Sequence, residues 1–284
     1  MSARPLRPLL VATVAIVAVS ALGCHDSSGP EQSDPAIFTW NGDLKPQGII
    51  HLRNVNGSVQ VRPSHDSAVH VLAGARWHRG DPKTDLKFSV INGDNDVTVC
   101  VIWGKGDCGE HNYTTGPSFL KFMRKGTDAT VTLTVEVPAR VRVDAFTANG
   151  SIDVAATAPV RAYDVNGSVR VATAIGPVDA VTVNGSVDVR MTTIGSDTGR
   201  VRAETVNGSA KAYVPAELDG DYTLKVTNGG ITNDFGAFDG AAIARSKTQT
   251  GTLGHGGRDI IVKALNGGVG LYKLNADGTP MTKP

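Results

Sequence analysis

Val181-Thr182-Val183-Asn184-Gly185-Ser186-Val187-Asp188-Val189 is the stretch on which the fold turns. Two short apolar alternations flank an Asn-Gly pair, and the unit recurs. Asn-Gly-Ser or Asn-Gly-Gly begins at Asn56, Asn149, Asn166, Asn184, Asn207, Asn228 and Asn266. The gaps from Asn149 to Asn228 are 17, 18, 23 and 21 residues, and the last gap, 38, is about two such steps. A period near 20 residues marks a coil that stacks on copies of itself.

Asn-Gly between apolar alternations usually signals a hairpin. Around Asn184-Gly185 a hairpin would put Val183 on one face with Ser186, and Val181 with Asp188, mixing apolar with polar. A chain that turns a corner and runs on lets Val181, Val183, Val187 and Val189 all face inward. The same reading holds for Tyr163, Val165, Val169 and Val171, and for Phe146, Ala148, Ile152 and Val154. A strand with one buried face has its register set by this period of two. The expectation is therefore an all-β chain, a parallel β-solenoid (β-helix-like) whose corners are Asn56-Gly57, Asn149-Gly150, Asn166-Gly167, Asn184-Gly185, Asn207-Gly208, Asn228-Gly229 and Asn266-Gly267. At Asn228, Thr227 replaces the inward aliphatic. The asparagines would form an amide ladder along the stack. The glycine supplies backbone freedom at the corner, so the motif reads as structural.

Stacking the copies on their asparagines exposes two charge columns. Five residues before Asn stand Asp144, Arg161, Asp179 and Arg202; four after stand Asp153, Arg170, Asp188 and Lys211. Signs alternate in both, so each charge would have opposite neighbours at about 4.8 Å. Exposed pairs contribute only about 0.2–1 kcal/mol each. Their larger effect is on register, since slipping by one coil brings like charges together. Alternating signs give no net field along the columns.

The 284 residues carry a net charge of +1 and a charged fraction of 19 %, which gives no electrostatic reason to expect nucleic acid. Glycine is abundant (33 residues) and aromatics are only 5 %, a β composition with many turns. No sustained helical period follows residue 30.

Residues 1–23 read as an export signal, with Arg4 and Arg7 ahead of the apolar run Leu9 to Ala21. Ala21-Leu22-Gly23-Cys24 resembles a lipoprotein lipobox, which implies lipidation of Cys24. Leucine is usual where Ala21 stands, and cleavage after Ala21 also satisfies the small-residue rule. Two acyl groups would anchor the chain firmly in a membrane, and His25 after the cysteine points to the outer membrane. Residues 24–35 read as a polar tether. Residues 36–139 form a more irregular N-terminal β region with a loop insertion at 102–126. Residues 140–284 are the regular repeats, and 36–284 make one continuous domain. Cys100 and Cys108 flank a glycine-containing loop, for which a local disulfide is the simplest reading. A metal pair fits less well, because the spacing is not that of a zinc knuckle and His111 is the only nearby helper.

Other chemistry is sparse. There is no G-x-S-x-G elbow, phosphate-binding glycine loop or H-E-x-x-H. Asp94-Asn95-Asp96 reads as a polar turn, as does Gly254 to Asp259 ahead of Ile260-Ile261-Val262. The histidines have no ligand spacing. Trp77, His78, Arg79, Trp103 and Tyr113 could make a binding patch, but core aromatics are the simpler reading. No cofactor, metal or catalytic residue is expected.

The Val-Asn-Gly-Ser-Val units at Val55–Val59, Val165–Val169 and Val183–Val187, the strand Val135-Glu136-Val137-Pro138, and the closing Gly256-Gly257 and Leu265-Asn266-Gly267-Gly268-Val269 together resemble the "putative adhesin" domain family of bacterial envelope proteins. The resemblance covers about residues 36 to 275. It implies a right-handed β-solenoid displayed at the cell surface or in the periplasm, and it brings no catalytic residues with it. The resulting expectation is a non-enzymatic, exported envelope lipoprotein, an adhesin-like binder or scaffold. Its partners would be the membrane through the lipid anchor and a surface glycan or envelope protein. The alternatives are a polysaccharide-active β-helix enzyme and a periplasmic assembly or sensing module.

Overall fold

Val131, Leu133, Val135 and Val137 are buried while the residues between them are not. This alternation of apolar and polar side chains commits a segment to a half-buried strand, and it recurs throughout the chain. The computed structural model describes residues 30–109, 113–114, 127–156, 158–193, 199–236, 247–275 and 278–279. Residues 1–29, which include the export signal, Cys24 and the first half of the tether, lie outside the described residues, as do His111 and 115–126 of the loop.

The described chain is all-β apart from one helical turn, α1 (Pro82–Asp85). The strands of the first half are β1 (Gln32–Asp43), β2 (Ile49–Arg53), β3 (Val59–Pro63), β4 (Ala68–Trp77), β5 (Leu86–Asn92), β6 (Asp96–Trp103), β7 (Asp107–Cys108), β8 (Tyr113–Thr114) and β9 (Thr130–Val137). There follow β10 (Arg142–Phe146), β11 (Ile152–Ala156), β12 (Val160–Tyr163), β13 (Val169–Thr173), β14 (Val178–Asn184), β15 (Val187–Met191), β16 (Val201–Asn207) and β17 (Ala210–Pro215). The last are β18 (Gly220–Asn228), β19 (Ile231–Asn233), β20 (Lys247–Leu253), β21 (Asp259–Asn266) and β22 (Val269–Leu274).

They form two large mixed sheets. The first has the order β1-β4-β9-β3-β11-β13-β15-β17-β22-β19, the second β20-β18-β21-β16-β14-β12-β10-β2-β6-β5. The Asn-Gly pairs of the repeats at Asn56, Asn149, Asn166, Asn184 and Asn207 mark the passage from a strand of the second sheet to the next strand, in the first. Neighbours in the middle of both sheets are parallel, and the antiparallel pairings β1–β4, β4–β9, β5–β6 and β18–β20 lie toward the ends. The core lies between the sheets. Val143, Val160, Val178, Val201 and Ile260 make one buried row across the second sheet. Ile152, Val169 and Val187 make another across the first. Each such side chain contributes about 1.5–3 kcal/mol as an upper estimate.

Three expectations need correction. Before the Asn-Gly pairs at Asn149, Asn166 and Asn184 the inward residues are on the other parity. Ala180 and Thr182 are buried, Val181 is half-buried and Val183 is 38 % exposed. Likewise Ala162 and Asp164 are buried where Tyr163 and Val165 are not, and Ala145 and Thr147 where Phe146 and Ala148 are not. The phase shifts at the Asn-Gly pair, so inward positions are five residues apart across it (Thr182, Val187). Only the strand after the corner follows the expected pattern. The second correction concerns order. The Asn266 unit (β21, β22) lies between the Asn207 unit (β16, β17) and the Asn228 unit (β18, β19). β18 carries the antiparallel β20 on its outer edge, so the last unit takes its inner edge. Third, residues 32–35 belong to β1, which pairs with β4 through an irregularity between Asp34 and Phe38. Ile102 and Trp103 likewise end β6 and do not start the loop.

Candidate functional site

The asparagines of the repeats bond to one another. Asn166 Nδ2 donates to Asn149 Oδ1 at 3.0 Å, Asn184 to Asn166 at 2.8 Å, and Asn207 to Asn184 at 2.8 Å. Asn266 then donates to Asn207 and Asn228 to Asn266, each at 2.8 Å. At the other end Asn56 Nδ2 donates to the Ala129 carbonyl at 2.7 Å. The ladder is on the surface. Behind it runs a buried row two residues before each asparagine. Thr147, Thr182 and Thr205 donate their hydroxyls to the carbonyls of Gly57, Gly167 and Gly185 in the preceding unit, at 2.8, 2.9 and 2.8 Å.

The outward face of the second sheet holds the first charge column. Asp144 pairs with Arg161 in register, Arg161 with Asp179, and Asp179 with Arg202. His51 extends the column beside Asp144. Asp144 is held by His51 Nδ1 at 2.8 Å and Arg53 at 2.7 Å. Burial alone would raise this carboxyl, but the hydrogen bonds and charges of His51 and Arg53 outweigh it and hold Asp144 at about 2. Asp179 accepts from the Tyr163 hydroxyl at 2.6 Å, and pairs with Arg202 at 3.2 Å and Arg200 at 3.6 Å. Arg202 also reaches Glu204 at 2.6 Å, and Lys263 reaches Glu204 at 3.2 Å. Burial pushes Glu204 up, yet these two cations bring it below its ordinary value. Arg161 lies 5.7 Å over the Tyr163 ring. The second column, Asp153, Arg170, Asp188 and Lys211, stands in register on the first sheet. Arg62 pairs with its Asp153 at 3.1 Å.

A groove of about 280 Å³ opens on the first column where β10, β12 and β14 begin, with His51, Arg142, Asp144, Arg161, Asp179 and Arg200 on its walls. Three guanidiniums thus meet two carboxylates, and both carboxylates already have partners. Arg142 and Arg200 were missed in the sequence. They stand seven residues before their asparagines, where Pro159 and Pro177 occupy the same place in the two repeats between and hide the column. A larger depression of about 610 Å³ between β1 and the β5–β6 turn includes Asp43, Asp94 and Asp96. The turn serves the backbone there, with Asn95 Oδ1 accepting the Lys45 N–H at 3.0 Å and Asn95 O accepting the Ile49 N–H at 3.1 Å. The groove is therefore the better candidate.

Cys100 and Cys108 are joined by a disulfide. It fastens β7 to β6, and Tyr113 of β8 packs edge-on to Phe146 with ring centroids 6.0 Å apart while donating to the Val101 carbonyl at 2.6 Å. Trp103 is buried, Tyr113 and Trp77 are half-buried, and the backbone N–H groups of His78 and Arg79 both bond Asp128 at 2.9 Å. These residues do not form an exposed aromatic patch. Gly254 to Gly257 makes the turn into β21, with Gly256 N–H on the Leu253 carbonyl at 3.0 Å. Among the described residues there is no group of three or more His, Cys, Asp or Glu able to hold a metal ion, and no helix long and apolar enough to cross a membrane.

No family model matches the chain, and no curated protein matches it. Among solved structures, it is similar to a "putative cell adhesion protein" from Clostridium sporogenes, with a TM-score of 0.47 and 10 % identity over 84 % of this chain and 99 % of that one. It is also similar to a "putative adhesin" from Bacteroides fragilis, with a TM-score of 0.24 and 12 % identity over 82 % of this chain and 95 % of that one.

Proposed function

We propose that the chain is a non-enzymatic binding module of the cell envelope, a right-handed parallel solenoid with Asn-Gly corners that is exported and tethered through a lipid on Cys24. Handedness follows from the connection type, because a strand, a crossover and a parallel strand in the same sheet are joined right-handedly almost without exception. The observation that carries the binding reading is the groove. Arg142, Arg161 and Arg200 converge there, while Asp144 is already bonded to His51 and Arg53, and Asp179 to Tyr163, Arg202 and, at 3.6 Å, Arg200. Guanidiniums in fixed positions recognise planar anionic groups by paired hydrogen bonds. The ligand class that fits is an acidic glycan bearing carboxylate or sulfate. General acid–base hydrolysis needs one carboxyl that keeps its proton near neutrality, and Asp144 and Glu204 on this face are both held below their ordinary values.

Titration calorimetry of the mature chain against uronate and sulfated oligosaccharides tests this. Binding should weaken as salt rises and fall tenfold or more in the double variant Arg142→Ala/Arg200→Ala. Equal binding by that variant, or turnover of the oligosaccharide, would sink the proposal. Lipid anchoring is tested separately, by labelled fatty acid that enters the wild type and is absent from Cys24→Ser.

A further inference from the structure

The buried row behind the asparagine ladder has one member of a different kind. Its polar positions are Asn54, Thr147, Asp164, Thr182 and Thr205, all five buried, and Val226 and Ala264 fill the same place in the last two units. Asn54 Nδ2 donates to the Val131 carbonyl at 2.8 Å, which is the place a glycine carbonyl takes in later units, and also to Gly57 O at 3.2 Å. The three threonines donate to the glycine of the preceding unit. Every polar occupant except Asp164 brings its own hydrogen. Asp164 Oδ1 accepts the Val165 N–H at 2.7 Å, as Asn54 Oδ1 accepts the Val55 N–H at 2.9 Å. Asp164 Oδ2 is buried and without a hydrogen-bond partner among the described residues. A Cβ built on Gly167 would meet both Gly150 O and Asp164 Oδ2, so these two oxygens border the same small space.

We infer that Asp164 is held as the neutral acid with its Oδ2–H donating to the Gly150 carbonyl, so that this contact between neighbouring coils is lost as the proton leaves. Two acceptor oxygens against each other in a buried corner have no stabilising arrangement unless one carries a hydrogen. The surroundings offer no compensating charge. Thr147, the residue after β10, and Thr182 on β14 flank Asp164, whose N–H bonds the Val181 carbonyl, and the adjoining segments carry Ala148, Asn149, Gly150, Ser151, Val165, Asn166, Gly167 and Ser168. Arg161 and Tyr163 of its own strand are on the outward face with Asp179. Burial accordingly pushes the Asp164 carboxyl up to about 7, against the pull of the Val165 and Asn166 N–H groups.

An unfolded aspartate releases its proton near 3.8. Between that pH and about 7 the folded chain holds a proton that the unfolded chain does not. This contribution therefore falls as pH rises through that window and is level above it. Three pH units correspond to at most about a thousandfold in the folding equilibrium. The feature is independent of the groove and of what the groove binds.

The test is a carbon-13 titration of aspartate carboxyls in the wild-type mature chain, with Asp164 identified through its link to the Val165 amide. A midpoint near 7 is expected, and one near the ordinary 3.8 would overturn the inference. The second arm is Asp164→Asn, which places the Asn54 arrangement at this corner. It should melt several degrees above wild type at pH 8 and close to it at pH 4. A variant that melts below wild type at pH 8, or that shows the same difference at both pH values, would also overturn it.

Discussion

Replacing Gly208 by alanine places a methyl group where the stack has no room for one. Gly208 has φ 147°, its N–H donates to Asn266 O at 2.8 Å, and a Cβ built on it runs into the Gly185 carbonyl of the unit below. The obstruction is backbone held on both sides, so no side-chain rotation relieves it. Holding alanine in this conformation costs about 1–3 kcal/mol, and overpacking against a fixed neighbour adds about 1–3 kcal/mol. The sum, about 2–6 kcal/mol, is a large part of the roughly 5–15 kcal/mol that stabilises a typical folded domain. For a chain of this size each 1 kcal/mol lowers Tm by about 2–4 °C. Gly230 is the control. Its Cβ would meet nothing within 4 Å and its φ is not positive, so Gly230→Ala should be neutral or slightly stabilising, within about 1 kcal/mol. Urea and thermal unfolding of both variants give the comparison. If Gly208→Ala unfolds where Gly230→Ala does, the close approach of successive corners is wrong.

Three further outcomes follow from named contacts. Asp144 is held at about 2 against its ordinary 3.8, so its contribution, about 2 kcal/mol, is present above pH 4 and lost as pH falls through 2. Urea midpoints for Asp144→Asn should therefore drop at pH 7 and rejoin wild type near pH 2, and an equal loss at both would contradict the pairing with His51 and Arg53. Replacing Cys100 and Cys108 together by serine removes a short loop closure, for which the chain-entropy account gives about 2–3 kcal/mol; a melt unchanged by the double variant and by reducing agent would refute it. Asn184→Ala deletes one donated and one accepted bond, both 2.8 Å, on an exposed ladder. A loss of about 1–2 kcal/mol is expected in urea unfolding, and no loss would mean the ladder is only decorative.

Much of the strand content was legible because Val131, Leu133, Val135 and Val137 alternate without interruption. The neighbours Asp144, Arg161, Asp179 and Arg202 could be reached because residues at one offset from the repeated asparagine become neighbours when strands run parallel. Offsets alone could not give the phase across a corner, which is why Val183 was assigned inward and Thr182 was overlooked. Nor could they give the spatial order of the last units, since the preference of β18 for β20 on its outer edge is a tertiary matter. Arg142 and Arg200 escaped notice because prolines stand between them in their column. Asp164 escaped because its row mixes threonine, asparagine and aliphatic residues and carries no charge pattern. The row was readable in principle, as the residue two before each asparagine is small and polar from Asn54 to Thr205.

Cross-linking reads the stacking most directly. Neighbouring parallel strands bring paired residues to about 4.8 Å, within the reach of a disulfide, whereas strands two steps apart lie beyond it. The pair Asn207→Cys/Asn266→Cys should oxidise to an intramolecular bond detectable by peptide mass spectrometry, and Asn207→Cys/Asn228→Cys should not. A bond in the second pair and none in the first would contradict the order in which the repeats lie side by side.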